Sequence, residues 1–243
     1  EADAMSIAHE NRKHYAYLDF LRILAAFLVI VNHTNSYVFK AMSPENTTWW
    51  FSILWYYLSK IAVPLFIMVS GACLLGKQDT YRRAFGRFLR VLIVLLLFSY
   101  VYYLVNLWET GWAWQKAFDF PAFFAVVWSA GIADSFWYLY LYLGLMVMLP
   151  FLQRLAGALQ KRDVLIFVGL SLLFFTVWPL AAHYAPALAL PGYFSVPLFG
   201  VFIGLFFAGH YLHAYAEKSR VLLNVLLVAV TLAVSALLTQ VEY

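Results

Sequence analysis

The chain has 243 residues, of which 65% are hydrophobic and 12% charged, with a net charge of +4 and a mean hydropathy of +0.79. A water-soluble domain of this length does not need so much apolar surface, whereas membrane-embedded helices do. The composition therefore excludes a soluble enzyme, and nothing in it suggests a nucleic-acid partner. We predict an all-α polytopic membrane protein surrounded by membrane lipids.

The first 16 residues are polar and lack the apolar core of a signal peptide. We interpret them as a cytoplasmic tail, in which residues 1–4 are a remnant before a native start at Met5. Residues 17–243 are predicted to form one transmembrane domain. Because the chain stops soon after its last apolar stretch, we expect this domain to be incomplete at its C-terminus.

Seven apolar stretches are long enough to cross a bilayer, since a span needs about 20 residues. They cover residues 17–39, 51–76, 88–107, 136–153, 164–182, 194–213 and 221–240. A further apolar region at 112–132 is interrupted by Pro121 and Gly131. We predict that this region is an interfacial or re-entrant segment and not an eighth span.

Basic residues are concentrated in alternate loops between the predicted spans. If the N-terminus is cytoplasmic, the outer segments hold only Lys40 and Lys116. The inner segments then hold Arg12, Lys13, Lys77, Arg82, Arg83, Arg87, Arg90, Arg154, Lys161, Arg162, Lys218 and Arg220. The positive-inside rule accordingly predicts a cytoplasmic N-terminus and, after seven spans, an outer C-terminus.

The first predicted span carries three ionisable residues on one face. Arg22 and His33 are eleven residues apart, about 20° beyond three full helical turns and about 16 Å along the axis. Asp19 precedes Arg22 by three residues and can pair with it. Ionisable side chains inside a span are costly and indicate a functional site. The alternative is an Asp19–Arg22 pair near the cytoplasmic interface, with His33 reaching the outer interface.

Several motifs together resemble the membrane-bound acyltransferase-3 family. The segment YLDFLRILAAFLVIVNHT resembles the family's first helix, with its R-x10-H motif at Arg22 and His33. The segment VPLFIMVSGACLL resembles its second helix, and Arg87 and Arg90 match its RxxR motif. The segment FWYLYLYLGLMVMLP, with Trp137, is similar to its W-x12-P helix, and FFAGHYL resembles its G-x-Y segment.

The resemblance covers residues 15–213 in order and is closest to the branch that O-acetylates cell-surface polysaccharides. It implies a multi-pass enzyme of the bacterial cytoplasmic membrane that takes an acyl group, usually acetyl, from cytoplasmic acyl-CoA. The implied acceptor is a hydroxyl of a surface glycan or lipid-linked glycan at the outer face. Two positions depart from the family, Ser135 and Met146, where many members have His and Tyr. Members usually have about ten spans of about 20 residues, which implies that later helices are missing here.

Acyl transfer from a thioester to a hydroxyl needs a base and donors that stabilise the developing oxyanion. His33 suits the base, because an imidazole accepts and returns a proton near neutral pH. An imidazole can also carry the acyl group transiently, and the sequence leaves both roles open. Asp19 and Arg22 lie nearer the cytoplasm, where we expect them to hold the helix geometry or to contact the donor.

Arg83, Arg87 and Arg90 recur at i, i+4 and i+7, so they share a helix face where the third span meets the cytoplasm. Guanidinium groups bind phosphate with two hydrogen bonds, and coenzyme A carries several phosphate charges. We predict that these arginines bind the phosphates of acetyl-CoA. The alternative is that they only enforce the topology.

Three further residues are weaker candidates for substrate binding. Lys60 lies in the second span, four residues before Pro64, where it meets a phosphate or carboxylate at the outer vestibule or else extends to the interface. Ser70, next to Gly71, favours close helix packing over chemistry. Trp137 stacks on a sugar, lines the acyl path or anchors its helix at the interface.

We predict no metal site, because His183, His210 and His213 lack Cys or carboxylate partners at metal-ligand spacing. Two other functions remain open. One is a transporter or flippase subunit for a polysaccharide or lipid-linked glycan, although the paired internal repeats common in transporters are not visible. The other is a regulatory or scaffolding membrane protein with a degenerate site, which the Ser135 and Met146 departures favour.

Overall fold

The computed structural model describes residues 15–111, 114–190, 200–216 and 221–242. Within these ranges every regular element is helical, so the prediction of an all-α polytopic fold is confirmed. The N-terminal tail up to residue 14, and the basic residues Lys218 and Arg220 used to predict the orientation, lie outside the described residues.

Eleven α-helices follow one another along the described ranges. They are α1 Ala16–His33, α2 Thr47–Lys60, α3 Ala62–Leu74, α4 Tyr81–Glu109, α5 Trp114–Ala117, α6 Phe120–Trp128, α7 Trp137–Ala158, α8 Lys161–Leu172, α9 Trp178–Tyr184, α10 Val201–Tyr215 and α11 Val221–Glu242. A 3₁₀ segment at Asn35–Ala41 follows α1, and a π-helical turn at Leu173–Val177 joins α8 to α9.

Five helical stretches in the described part of the chain are long and apolar enough to cross a membrane. They are Ala16–Ala41, Thr47–Leu74, Tyr81–Glu109, Asp134–Ala158 and Lys161–Tyr184, and they correspond to the first five predicted spans. The sixth and seventh predicted spans contain shorter apolar helices, Val201–Tyr215 and Asn224–Thr239. Five of the seven predicted spans are therefore long enough to cross a membrane in the described part of the chain. The first part of the sixth predicted span lies outside the described residues.

The apolar region at 112–132 forms no span in its described part. It contains α5 and α6, which have four and nine residues. Nine residues of helix extend about 13 Å, less than half of a hydrocarbon core of about 30 Å. Asp119 caps α6 by accepting a hydrogen bond from the Ala122 N–H at 3.1 Å. The prediction that this region is not an eighth span is confirmed.

Residue contacts divide the chain into two compact units, which we describe separately. The first unit consists of Glu1–Gly71 and Tyr215–Tyr243, and the second of Ala72–Ala214, so the boundary falls inside α3. In the first unit, α11 packs against α2 around a buried cluster of Phe39, Trp49, Ile53 and Ala236. The Tyr57 and Thr239 hydroxyls are hydrogen-bonded across the same contact.

In the second unit, α4 packs along α7, and α8 approaches α10 very closely at one point. A Cβ atom placed on Gly204 of α10 would lie only 2.5 Å from the Cβ of Ser171 on α8. Non-bonded contacts of a Cβ atom are essentially never this short, so a side chain at position 204 requires the neighbouring helix to shift. Small residues at such contacts are how membrane helices bring their backbones together.

We expect Gly204→Ala to destabilise the protein by about 1–3 kcal/mol, because the new methyl group must push the two helices apart. The matched control is Gly169→Ala on α8, where an added Cβ meets nothing within 4 Å. The control should leave the stability unchanged or raise it by up to about 1 kcal/mol. Thermal unfolding of both purified variants checks this, and a Gly204→Ala protein as stable as the control would contradict the close approach.

Candidate functional site

The N-terminal half of α1 carries the predicted ion pair. The Arg22 Nη1 atom donates a hydrogen bond to Asp19 Oδ1 at 2.6 Å, and both side chains remain partly exposed. The prediction that these two residues pair is therefore confirmed. Since α1 is one uninterrupted α-helix from Ala16 to His33, Arg22 and His33 share a face as their spacing requires.

His33 is the last residue of α1 but not the end of the span. The helical stretch continues to Ala41 as a 3₁₀ segment, so eight residues of the span follow His33. Eight residues correspond to about 12–16 Å of helix axis. His33 therefore lies at the end of α1, just before the backbone changes to a 3₁₀-helix, and its place at the outer interface stays a prediction.

The second span is also interrupted, and Lys60 lies at the interruption. The stretch Thr47–Leu74 has 28 residues, and Lys60 lies halfway along it, where α2 ends and α3 begins. Pro64 has no N–H, so it cannot donate to the Lys60 carbonyl four residues earlier, and the run of α-helical hydrogen bonds is interrupted there. The Lys60 ammonium lies 4.5 Å from the centre of the Tyr56 ring.

Lys60 lies far from both ends of its helical stretch. From the middle of the span, either end is about 20 Å away along the axis, far beyond the reach of a four-carbon side chain. Extension of Lys60 to the interface and a role at an outer vestibule both stay predictions. The cation lies at mid-span, where it needs an anionic or aromatic partner.

Two side-chain hydrogen bonds set the register between α2 and the first span. The Phe39 N–H donates to Ser52 Oγ at 2.7 Å, and the buried Ser59 Oγ donates to Asn32 Oδ1 at 3.3 Å. Asn32 lies seven residues before Phe39 in the first span, whereas its partner Ser59 lies seven residues after Ser52 in α2. The two helices are therefore antiparallel, with Asn32 and Ser59 facing each other.

This register places His33 and Lys60 on the same side of the helix pair. Each residue directly follows a member of the facing Asn32–Ser59 pair, and one step along a helix turns the side chain by 100°. Viewed along one axis, the step from Asn32 to His33 and the step from Ser59 to Lys60 rotate in opposite senses, because the helices are antiparallel. The side chains of His33 and Lys60 therefore leave the helix pair on the same side. We call these four residues, Asn32, His33, Ser59 and Lys60, the mid-span site.

The three predicted phosphate-binding arginines lie in the first turns of α4, which begins seven residues before the predicted third span. The helix begins there because the Thr80 side chain caps it by accepting a hydrogen bond from the Arg83 N–H. Arg83 and Arg90 are exposed, as free phosphate-binding groups should be. Arg87 is different, because Asp79 already holds it.

Asp79 binds Arg87 with two parallel hydrogen bonds. Arg87 Nε donates to Asp79 Oδ2 at 3.1 Å, and Arg87 Nη2 donates to Oδ1 at 3.4 Å. The Asp79 side chain is only 6% exposed, whereas that of Arg87 is 29% exposed. The ion pair therefore joins a buried carboxylate to a partly exposed arginine side chain.

Gln153 of α7 completes this network from the buried side. Its Nε2 atom donates to Asp79 Oδ2 and to the Leu74 carbonyl, both at 2.9 Å, and its Oε1 atom accepts from the Asp79 N–H at 3.1 Å. The side chain is 1% exposed. We call Leu74, Asp79, Arg87 and Gln153 the Asp79 cluster. Sequence reasoning missed Gln153 and Asp79, although a single glutamine inside the apolar segment LMVMLPFLQRL was a signal.

The pKa of Asp79 reflects this network. Burial on its own raises the pKa of Asp79, but the hydrogen bonds from Gln153 and Arg87, with the charges of Arg87 and Lys77, outweigh burial and lower the pKa below its ordinary value of 3.8. A carboxylate whose folded pKa is lowered stabilises the fold above the unfolded pKa, and this contribution is lost as the pH falls through the folded pKa.

We therefore expect Asp79→Asn to be less stable than the wild type at pH 7, with the difference shrinking as the pH falls below 3.8. Unfolding temperatures of both proteins between pH 7 and pH 3 measure this. Asp134→Asn, which changes an exposed carboxylate in the same unit, is the control and should follow the wild type at every pH. A gap that stays constant down to pH 3 would contradict an ionised Asp79.

The remaining candidates lie elsewhere. Trp137 begins α7, about 24 Å along that helix from Gln153, and its half-exposed ring contacts Phe202 at 6.0 Å between centroids. Ser70 lies within α3 beside the buried Gly71, a position typical of helix packing. Among the described residues, no group of three or more His, Cys, Asp or Glu side chains is placed to hold a metal ion.

Comparison with known proteins gives one result. A family model described as an acyltransferase domain matches residues 15–243, which is nearly the whole chain. No curated protein and no solved structure matches the sequence significantly.

Proposed function

The chain belongs to the acyltransferase-3 family, and we propose that it is a transmembrane O-acyltransferase of the bacterial cytoplasmic membrane. In this proposal it moves an acetyl or similar small acyl group from cytoplasmic acyl-CoA to a hydroxyl of an extracytoplasmic surface glycan or glycolipid. The family match supports acyl transfer in a multi-pass membrane protein. The observation that carries the proposal is the mid-span site, where an imidazole and an ammonium lie at one depth on one side of two interrupted spans.

The chemistry follows from the groups present at the mid-span site. The His33 imidazole accepts the proton of the acceptor hydroxyl while the hydroxyl oxygen attacks the thioester carbonyl. The new C–O bond moves negative charge onto the carbonyl oxygen, which the Lys60 ammonium stabilises. The C–S bond then breaks, the ester is released, and the CoA thiolate takes the proton from His33.

A second route uses the same residues in two steps. The neutral imidazole of His33 attacks the thioester itself, and CoA leaves as a thiol, so that an acyl-imidazole stores the acyl group until the acceptor arrives. Labelled acyl-CoA without acceptor distinguishes the routes, because only the second leaves label on the protein. In both routes the Asp19–Arg22 pair holds the cytoplasmic half of α1, on the side from which the donor comes.

Lys60 provides a direct test of the oxyanion role. We expect Lys60→Met to lower kcat by about 100-fold, since the substitution keeps the length of the side chain but removes its charge. Lys60→Arg should retain more activity than Lys60→Met, and Lys40→Met, an exposed lysine of the same unit, should behave as the wild type. Equal activity of Lys60→Met and Lys40→Met would remove Lys60 from the mechanism.

Donor binding is assigned to the arginine face at the start of α4. The exposed Arg83 and Arg90 flank Arg87 on one helix face, and their guanidinium groups suit the phosphates of coenzyme A. Ser70 and Trp137 are secondary candidates in this proposal, for helix packing and for contact with the sugar or the acyl group. We propose no metal for the reaction.

Consumption of the thioester separates this proposal from the transporter alternative, which no structural observation or comparison favours. The full chain in liposomes is given labelled acetyl-CoA and a glycan extract, and free CoA and labelled glycan are measured. CoA release that depends on the extract, with label in the glycan fraction, supports the enzyme. Movement of unmodified glycan across the bilayer with intact acetyl-CoA would support a transporter instead.

A further inference from the structure

We infer that Gln153 and Asp79 are positioning residues, an inference that rests on the proposed acyl-CoA donor. They fix the Arg87 guanidinium so that one of its edges faces the donor phosphates. Neither residue touches the donor in this account. They act through Arg87, which the buried carboxylate holds in a single orientation at the start of α4.

The hydrogen bonds of Arg87 leave a defined edge of the guanidinium for a ligand. A guanidinium has five N–H groups, and Asp79 takes one from Nε and one from Nη2. The three N–H groups that these bonds do not use belong to Nη1 and Nη2. The Asp79 side chain is buried and the Arg87 side chain is partly exposed, so in this proposal the edge formed by Nη1 and Nη2 is the one that a ligand reaches.

The arginine face of α4 extends this edge. Arg83 and Arg90 lie four residues before and three residues after Arg87, so all three guanidinium groups lie on one side of the helix. Arg83 and Arg90 are exposed, and each must lose side-chain freedom when it binds a phosphate. Arg87 has already lost that freedom to Asp79, so a phosphate meets at least one donor edge that is preorganised.

Gln153 makes this arrangement rigid because it satisfies the buried side of the cluster completely. Both N–H groups of its amide are used, one on Asp79 and one on the Leu74 carbonyl at the end of α3, and its oxygen accepts from the Asp79 backbone. The loop is attached to α7 a second time, since the Gln78 side chain donates to the Gln153 carbonyl at 3.3 Å. One buried amide thus connects the end of α3, the loop that carries Asp79, and α7.

The test is equilibrium binding of coenzyme A to the purified full chain in lipid nanodiscs, with the number of sites and the Kd fitted separately. We expect Gln153→Leu to raise the Kd by about tenfold, since the loss of Gln153 frees the Asp79 loop and with it Arg87. The matched control, Gln115→Leu, changes an exposed glutamine in α5 and should leave the Kd unchanged. An unfolded fraction lowers the number of sites but not the Kd, so a purely structural role of Gln153 would not reproduce this result.

A second pair of variants tests whether Gln153 acts through Arg87. In an Arg87→Ala background, Gln153→Leu should raise the Kd no further, because the group that it positions is absent. An unchanged Kd for Gln153→Leu alone, or a further tenfold loss in the Arg87→Ala background, would overturn the inference. If the wild type shows no saturable binding of coenzyme A, the proposed donor is refuted and the inference falls with it. The wild-type measurement therefore distinguishes the two failures.

Discussion

Replacing His33 with alanine is expected to lower kcat for acyl transfer by at least about 100-fold, because the variant lacks the group that removes the hydroxyl proton or carries the acyl group. The His33 side chain is exposed, so its removal creates no cavity in the protein core. The folded amount of the variant should therefore match that of the wild type. Initial rates of CoA release and of label transfer, at equal amounts of folded protein, measure the effect.

His183→Ala is the matched control for this prediction. His183 is also an exposed histidine, located near the end of α9, and the proposed mechanism gives it no role. The control should retain wild-type rates. If His33→Ala keeps more than a tenth of the wild-type kcat, or if both histidine variants lose activity equally, the catalytic role of His33 is wrong.

The second large effect is expected for Arg87→Ala, which leaves the Asp79 carboxylate buried with its charge no longer paired by Arg87. Two hydrogen bonds to a charged group are lost from a carboxylate that is only 6% exposed when Arg87 is present. We expect the free energy of unfolding to fall by about 2 kcal/mol at pH 7, the range for hydrogen bonds to charged groups. Partial exposure of Arg87 keeps the loss below that of a fully buried pair.

Arg83→Ala is the control for this second prediction, since Arg83 is exposed on the same helix face. Its stability should stay within about 0.5 kcal/mol of the wild type. Arg87→Lys should be intermediate, because lysine keeps the charge but cannot form two parallel hydrogen bonds with one carboxylate. Chemical unfolding of the three variants checks the order, and equal stability of Arg87→Ala and Arg83→Ala would show that the Asp79 ion pair does not stabilise the fold.

The helical class and the pairs within single helices could be predicted from the sequence. An interval of three residues was sufficient to predict the Asp19–Arg22 ion pair, because helix geometry alone brings such side chains together. The broken apolar pattern around Pro121 was sufficient to exclude an eighth span. These features depend on residues close together in the chain, where the backbone geometry is known in advance.

Relations between helices could not be predicted in the same way. That His33 and Lys60 lie at the same depth depends on the register of two antiparallel helices, which the contacts of Ser52 and Ser59 fix. Asp79 and Gln153 are 74 residues apart, and no periodicity within one helix indicates that they meet. The arginine motif was therefore visible in the sequence, but the buried residues that hold Arg87 were not.

The most direct test of the central claim is acyl transfer across a sealed bilayer. The full chain is reconstituted into sealed liposomes with a glycan acceptor trapped inside, and labelled acetyl-CoA is added outside. The account predicts labelled acetyl ester on the trapped glycan and an equal amount of free CoA outside, both absent with His33→Ala. Unlabelled trapped glycan beside intact acetyl-CoA, from folded wild-type protein, would contradict it.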